Sequence, residues 1–222
     1  MGVFNLYHVP YTLNNLNPNT AITSIADLKN KIQILVIDDR DFSFLDSLIN
    51  REFRIRQRKD IDDINDVVSF DIILCDIRGV GKFLNSQYEG ANLIKEIKTQ
   101  HPNKYVIAYT ANDYDARFEN YLNYADKVFA KGMLGPEDWA SMLEEALKSQ
   151  ASPANLWKKT RKALLDAGVP TITVAKYESA YVQSLNNGDY ESFDKLCNTR
   201  ENNGTEILKD MTTSVIAKLL KP

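Results

Sequence analysis

From Lys31 to Gln150 the chain alternates between short apolar runs and longer amphipathic stretches, and that alternation limits the fold more than any other feature. The apolar runs fall at Ile32–Ile37, Phe53–Arg56, Ile72–Cys75, Tyr105–Tyr109 and Lys127–Ala130. Each has the length of a strand, and β-branched and aromatic residues dominate three of them. Between them, apolar residues recur at helical spacing. Phe44, Leu45, Leu48 and Ile49 make one face, and Leu93, Ile94 and Ile97 make another. Trp139, Leu143 and Leu147 make a third, opened by Pro136 and ended before Ser149. Strands alternating with helices predict a parallel sheet covered on both faces. The expected fold is therefore α/β: a five-stranded, doubly wound, flavodoxin-like domain over residues 31–150.

The flanks lack this pattern. Residues 1–30 read as an arm rich in Asn, Tyr and Pro, with an extended piece near Val3–Tyr7 and a short helix Ile25–Asn30 capped by Ser24. Ser149–Asn155 reads as a linker. Beyond it, residues 151–222 predict a small all-α domain. Trp157, Leu164 and Leu165 mark its first helix, stopped by Gly168–Pro170. Val174, Tyr177, Tyr181 and Leu185 mark a second, Tyr190–Cys197 a third, and Leu208, Met211, Val215 and Leu219 a fourth.

Composition narrows the function classes. A net charge of −3 makes no case for a strongly nucleic-acid-binding chain. The two cysteines, Cys75 and Cys197, have neither metal-ligand spacing nor the density of a disulfide scaffold, which suits a reducing cytoplasm. No apolar run is long enough to span a bilayer, and the N-terminus lacks the form of a signal peptide. Neither His8 nor His101 has a partner at catalytic or metal-binding spacing. Arg54, Arg56, Arg58 and Lys59 read as a solvated strand edge rather than a binding patch. The basic run Lys158-Lys159-Thr160-Arg161-Lys162 reads as a solvated helix face.

The chemistry sits at the strand ends. Strand one closes on Asp38-Asp39, strand three on Asp76, strand four on Thr110-Ala111 and strand five on Lys131. In an open parallel sheet the carboxyl ends of the strands line one crevice, where ligands bind. Three carboxylates, a hydroxyl and an ammonium should therefore converge. Carboxylates held together resist ionising unless a cation joins them, and Mg²⁺ suits because it takes hard oxygen ligands. One carboxylate can then act as a nucleophile toward phosphorus, while the ammonium, hydroxyl and metal stabilise the charge on the transferring group.

These residues, in this order, resemble the receiver domain of two-component response regulators over about residues 31–150. The resemblance implies that Asp76 is the phosphoacceptor and that Thr110 and Lys131 contact the phosphoryl group. It implies Mg²⁺ bound directly by Asp39, Asp76 and the backbone carbonyl of Arg78, with Asp38 acting through water. Arg78 and Asn112 occupy positions that tune phosphate lifetime in the family. Such a chain is a signalling phosphoacceptor rather than a turnover enzyme, although receivers catalyse their own phosphorylation and dephosphorylation. The implied donor is a histidine kinase or phosphotransfer protein.

Three departures from the family pattern stand out. If Gly90 is the family's glycine before the third helix, the loop after Asp76 carries an insertion, made permissive by Gly79 and Gly81. Gly132 follows Lys131 where proline is usual, so a trans peptide is expected there. Val128 stands where a switching aromatic is usual, with Phe129 one residue later and hence on the other face. The expected function is a cytoplasmic response regulator that signals through a protein partner of the helical tail and can pair as a homodimer. Two rival readings are a nucleic-acid-binding regulator with a divergent output domain and a pseudo-receiver scaffold that is not phosphorylated.

Overall fold

The computed structural model describes residues 11–17, 24–110, 116–133, 135–198 and 204–212. The expected extended piece Val3–Tyr7, His8, Val215 and Leu219 lie outside them. The described residues form two compact units. One spans 24–151; the other joins 11–17 to the helices from Ser152 onward.

In the first unit the strands are β1 (Gln33–Ile37), β2 (Arg54–Arg58), β3 (Ile72–Asp76), β4 (Tyr105–Thr110) and β5 (Lys127–Ala130). They make one sheet in the order β2-β1-β3-β4-β5, and every pairing is parallel. This is the doubly wound order in which the chain reverses direction across the sheet between β1 and β3. The central strands are buried on both faces, which explains their near-continuous apolar runs. β2 lies at an edge and alternates instead: Ile55 is buried while Arg54, Arg56 and Arg58 face water. The basic alternation is thus a solvated edge. Arg58 pairs with Asp66 at 2.9 Å and Lys59 with Asp41 at 2.5 Å.

The helices of this unit are α1 (Ile25–Lys31), α2 (Leu45–Asn50), α3 (Glu89–Gln100), α4 (Glu119–Leu122) and α5 (Pro136–Gln150). Ser24 caps α1 as expected, accepting from the Asp27 amide. Leu93, Ile94 and Ile97 of α3 are fully buried against one sheet face. Trp139, Leu143 and Leu147 of α5 are buried as well. The α2 face departs from its expectation: Ile49 is exposed, and Phe42, just ahead of the helix, is buried instead. A short helix at the sheet margin buries one turn, and the preceding loop supplies the rest.

The expected linker Ser149–Asn155 is largely helical. α5 continues to Gln150 and α6 (Pro153–Asp166) begins three residues later. Gln150 is buried and donates to the Asn103 carbonyl at 2.6 Å, which anchors the helix end. Ser152 caps α6, and Pro153 occupies its first turn, where a missing N–H costs nothing.

The second unit holds α6, α7 (Thr171–Asn187), α8 (Tyr190–Asn198) and α9 (Thr205–Thr212). Its core includes Trp157, Leu164, Val174, Tyr177, Tyr181, Leu185, Phe193, Cys197, Leu208 and Met211. Leu165, expected on the inner face, is exposed. The basic run on α6 does not form one face. Thr160 is fully buried, Arg161 reaches Glu178 at 3.6 Å, and Lys162 pairs with Asp166 at 2.7 Å.

Part of the expected arm belongs to this unit. Leu13 and Leu16 pack on its core. Glu178, buried on α7, accepts the Leu13 amide at 3.1 Å and the Trp157 indole N–H at 2.9 Å. Replacing Glu178 with alanine leaves both donors without an acceptor. It should destabilise the helical unit by about 2 kcal/mol or more and raise amide exchange at Leu13. Hydrogen exchange read by mass spectrometry checks both effects.

Candidate functional site

The parallel register brings the expected residues to one edge of the sheet. Asp38 follows the last residue of β1, Asp76 closes β3, and Thr110 closes β4 opposite Ala130 of β5. Lys131 comes next, at the start of a single 3₁₀ turn. The site therefore stands at the carboxyl end of the sheet, beside the β1/β3 reversal, where open α/β sheets bind ligands.

Lys131 bridges two carboxylates. Its Nζ donates to Asp38 Oδ2 at 2.9 Å and to Asp76 Oδ2 at 2.5 Å. Asp38 and Asp76 are buried, and Asp39 is exposed at the rim. Asp38, Asp39 and Asp76 each bring a carboxylate oxygen within 4.8 Å of the others. Asp38 Oδ1 accepts the Arg40 amide at 3.0 Å, and Asp38 Oδ2 also accepts the Tyr109 hydroxyl at 2.9 Å. Asp76 Oδ1 accepts the Ile77 amide at 2.7 Å.

These contacts separate the two buried acids. Burial pushes Asp38 up, but Lys131, the Arg40 amide and the Tyr109 hydroxyl outweigh it and hold its carboxyl below the ordinary aspartate value. At Asp76 burial wins over the pull of Lys131, and the charge on Asp38 adds to it, so its carboxyl stands above that value. Burial would lower Lys131, yet its bonds to Asp76 and Asp38 raise its ammonium above the ordinary lysine value. Lys131 thus serves both acids, and Asp76 is the one that burial leaves above the ordinary value. One ammonium among three carboxylates leaves a negative excess that a divalent cation would balance.

The loop after Asp76 is built around this cluster. Gly79 has φ +76°, and a Cβ there would lie 2.4 Å from Asp39 Oδ2. Only glycine leaves room for the Asp39 carboxylate. A Cβ at Gly90 would stand 2.0 Å from the Asp76 carbonyl oxygen, so α3 starts directly against the end of β3. Two acids tie the loop residues down. Asp60 accepts the Gly81 amide at 2.7 Å and the Lys82 amide at 3.1 Å, and Glu89 accepts the Gly79 amide at 2.5 Å. Arg78 lays its guanidinium over the Phe118 ring, 4.6 Å from its centroid, just before α4.

The sequence reading identified Asp38, Asp39, Asp76, Thr110 and Lys131, and the sheet gathers all of them at this edge. Ala111 and Asn112 lie outside the described residues. Among the described residues every peptide is trans, as expected for Gly132. Val128 is exposed, so no aromatic ring stands at that position of β5. Sequence reasoning missed Tyr109, treating it as one more apolar strand residue. The signal was there: a tyrosine inside a fully buried strand must find a partner for its hydroxyl. It also passed over Asp60, which anchors the loop after Asp76.

No protein-family model matches the sequence, and no curated protein matches it. Solved structures are similar to it over about half its length. A CheY-like response regulator receiver domain protein from Methanospirillum hungatei is 23% identical, covering 54% of this chain and 95% of that one, with a TM-score of 0.44. A response regulator from Thermotoga maritima is 16% identical over 53% of this chain and 98% of its own, with a TM-score of 0.43. The receiver domain of NtrX from Brucella abortus is 21% identical over 52% of this chain and 98% of its own, with a TM-score of 0.41. Among the described residues no helix is long and apolar enough to cross a membrane. The all-parallel sheet with its flanking helices is a doubly wound, flavodoxin-like fold, and further helices follow it.

Proposed function

We propose that this chain is a two-component response regulator that accepts a phosphoryl group on Asp76 from a histidine kinase or phosphotransfer protein. One observation carries the reading. Lys131 bridges Asp38 and Asp76 beside the Asp39 carboxylate, at the β1/β3 end of the sheet. An isolated surface acid has no such company.

Mg²⁺ fits the donor set. The carboxylates supply hard oxygens, their charge exceeds that of Lys131, and Gly79 leaves the Asp39 carboxylate its space. Asp39, Asp76 and the Arg78 carbonyl would hold the ion directly, with Asp38 behind them. When bound, it supplies positive charge to the phosphoryl oxygens. The chain's own groups do the rest. An Asp76 carboxylate oxygen attacks phosphorus as the donor's P–N bond breaks, and the bond's electron pair leaves with the imidazole, which takes up a proton. Lys131 meets one phosphoryl oxygen with its ammonium, and the Thr110 hydroxyl donates to another. The Arg78 guanidinium, parked on Phe118, lies within the same loop and can screen the acyl phosphate from water. The helical unit then presents a surface to a protein partner.

The test is labelling of the full-length protein by a small phosphodonor in Mg²⁺, compared with Asp76→Asn. The expected result is one phosphoryl group on the wild type and none on the variant. An unlabelled wild type that also fails to bind Mg²⁺ would rule the reading out. Label that persists in Asp76→Asn would move the acceptor elsewhere.

A further inference from the structure

We propose that Tyr109 is a positioning residue of this site: its buried hydroxyl fixes Asp38, and through Asp38 it sets where Lys131 stands. The chemical consequence rests on the receiver reading above, while the placement rests on geometry alone. Tyr109 immediately precedes Thr110, so its side chain takes the opposite face of β4. Only 1% of it is exposed. Its hydroxyl reaches Asp38 Oδ2 at 2.9 Å, the same oxygen that Lys131 Nζ reaches at 2.9 Å. Lys131 Nζ also stands 4.8 Å from the centroid of the Tyr109 ring. One side chain therefore meets both members of the ion pair, the carboxylate with its O–H and the ammonium with its π face.

The ring cannot easily shift. Phe42 and Trp139 pack on it edge to face, with centroids 5.9 Å and 5.6 Å away, and they pack on each other at 5.1 Å. Among the described residues Trp139 Nε1 has no hydrogen-bond partner, so ring packing alone seats that indole. Asp38, for its part, has both oxygens engaged, Oδ1 by the Arg40 amide and Oδ2 by Tyr109 and Lys131. It is built to hold a lysine in place. When Asp76 becomes an acyl phosphate, its carboxylate no longer anchors Lys131 in the same way. Tyr109 and Asp38 keep the ammonium beside the new oxygens. A rigid support of this kind is what a charged group needs to stabilise a transition state without reorganising.

Tyr109→Phe keeps the ring and removes the hydroxyl, which allows a test in the full-length protein. Metal-free urea unfolding of the wild type, Tyr109→Phe, Asp38→Ala and the double variant forms a thermodynamic cycle. If the hydroxyl acts through Asp38, its loss matters only while Asp38 is present, with a coupling of about ten-fold in the unfolding constant. Additive effects overturn the proposal. In phosphoryl transfer from phosphoramidate with saturating Mg²⁺, Tyr109→Phe should be slower by about ten-fold. The Mg²⁺ concentration for half-maximal rate should change by less than about two-fold, because Tyr109 touches no direct ligand of the ion. A variant that matches the wild-type rate overturns the proposal and leaves the receiver reading standing. A wild type that takes no label overturns the receiver reading, and the unfolding cycle then decides the placement of Tyr109 by itself.

Discussion

Gly90→Ala is expected to destabilise the sheet unit by about 3 kcal/mol and to displace Asp76. The cause is a single methyl group. At this position it would sit 2.0 Å from the Asp76 carbonyl oxygen and 2.9 Å from Val80 Cγ2. The nearer neighbour is backbone at the end of a buried central strand, so no rotamer change relieves the clash. Relief requires α3 to move away from β3. That would break the bond from the Gly90 amide to the Ile77 carbonyl, 3.1 Å in the wild type. It would also withdraw Leu93 and Ile94 from the core, where both are fully buried. Urea unfolding reads the stability loss, and phosphodonor labelling reads the displacement. Gly132→Ala is the matched control: a Cβ there meets nothing within 4 Å, and stability should be nearly unchanged. Equal stability of Gly90→Ala and wild type would mean that α3 does not start against β3.

Lys131→Met is expected to slow phosphoryl transfer to Asp76 by about 100-fold or more while the protein stays folded. Methionine keeps the length and the apolar stem of the side chain and removes only the charge. Asp38 retains the Arg40 amide and the Tyr109 hydroxyl. Asp76 retains the Ile77 amide, but burial and the Asp38 charge, which already raise its carboxyl, then act without the opposing ammonium. The nucleophile becomes harder to ionise, and the developing charge on the phosphoryl oxygens loses its fixed partner. Rates of labelling by phosphoramidate in Mg²⁺ measure the effect. A variant within about three-fold of wild type would show that Lys131 takes no part in the transfer step.

Much of this site was legible in the chain. Asp38, Asp39, Asp76, Thr110 and Lys131 each close an apolar run, and a parallel sheet sends all such positions to one edge. The strand positions followed from burial on both faces, which allows few residue types. Edges were harder. β2 starts at Arg54 and extends to Arg58 because an edge strand tolerates charges on its open face. Ile49 was assigned inward by spacing alone, yet α2 is too short to bury a full stripe. The linker Ser149–Asn155 was read from composition, but Gln150 gains a buried carbonyl partner and Ser152 caps the next helix.

The order of the elements, and which of their ends carry chemistry, can be read along the chain, because burial period and strand-terminal polar residues are local properties. Which residues touch depends on how the elements pack. Tyr109 is an ordinary strand residue until β4 pairs with β3, whose other neighbour is β1, and its hydroxyl meets Asp38, far away in sequence. Asp60 is a surface acid until the loop after Asp76 folds over it. Leu13 belongs to an arm until Glu178 accepts its amide. Each of these contacts joins residues distant in the chain, so no window of sequence contains both partners. The negative charge at the strand ends was readable from one end of the chain to the other. That Lys131 bridges Asp38 and Asp76, and that burial raises the Asp76 carboxyl while it leaves Asp38 low, required the fold.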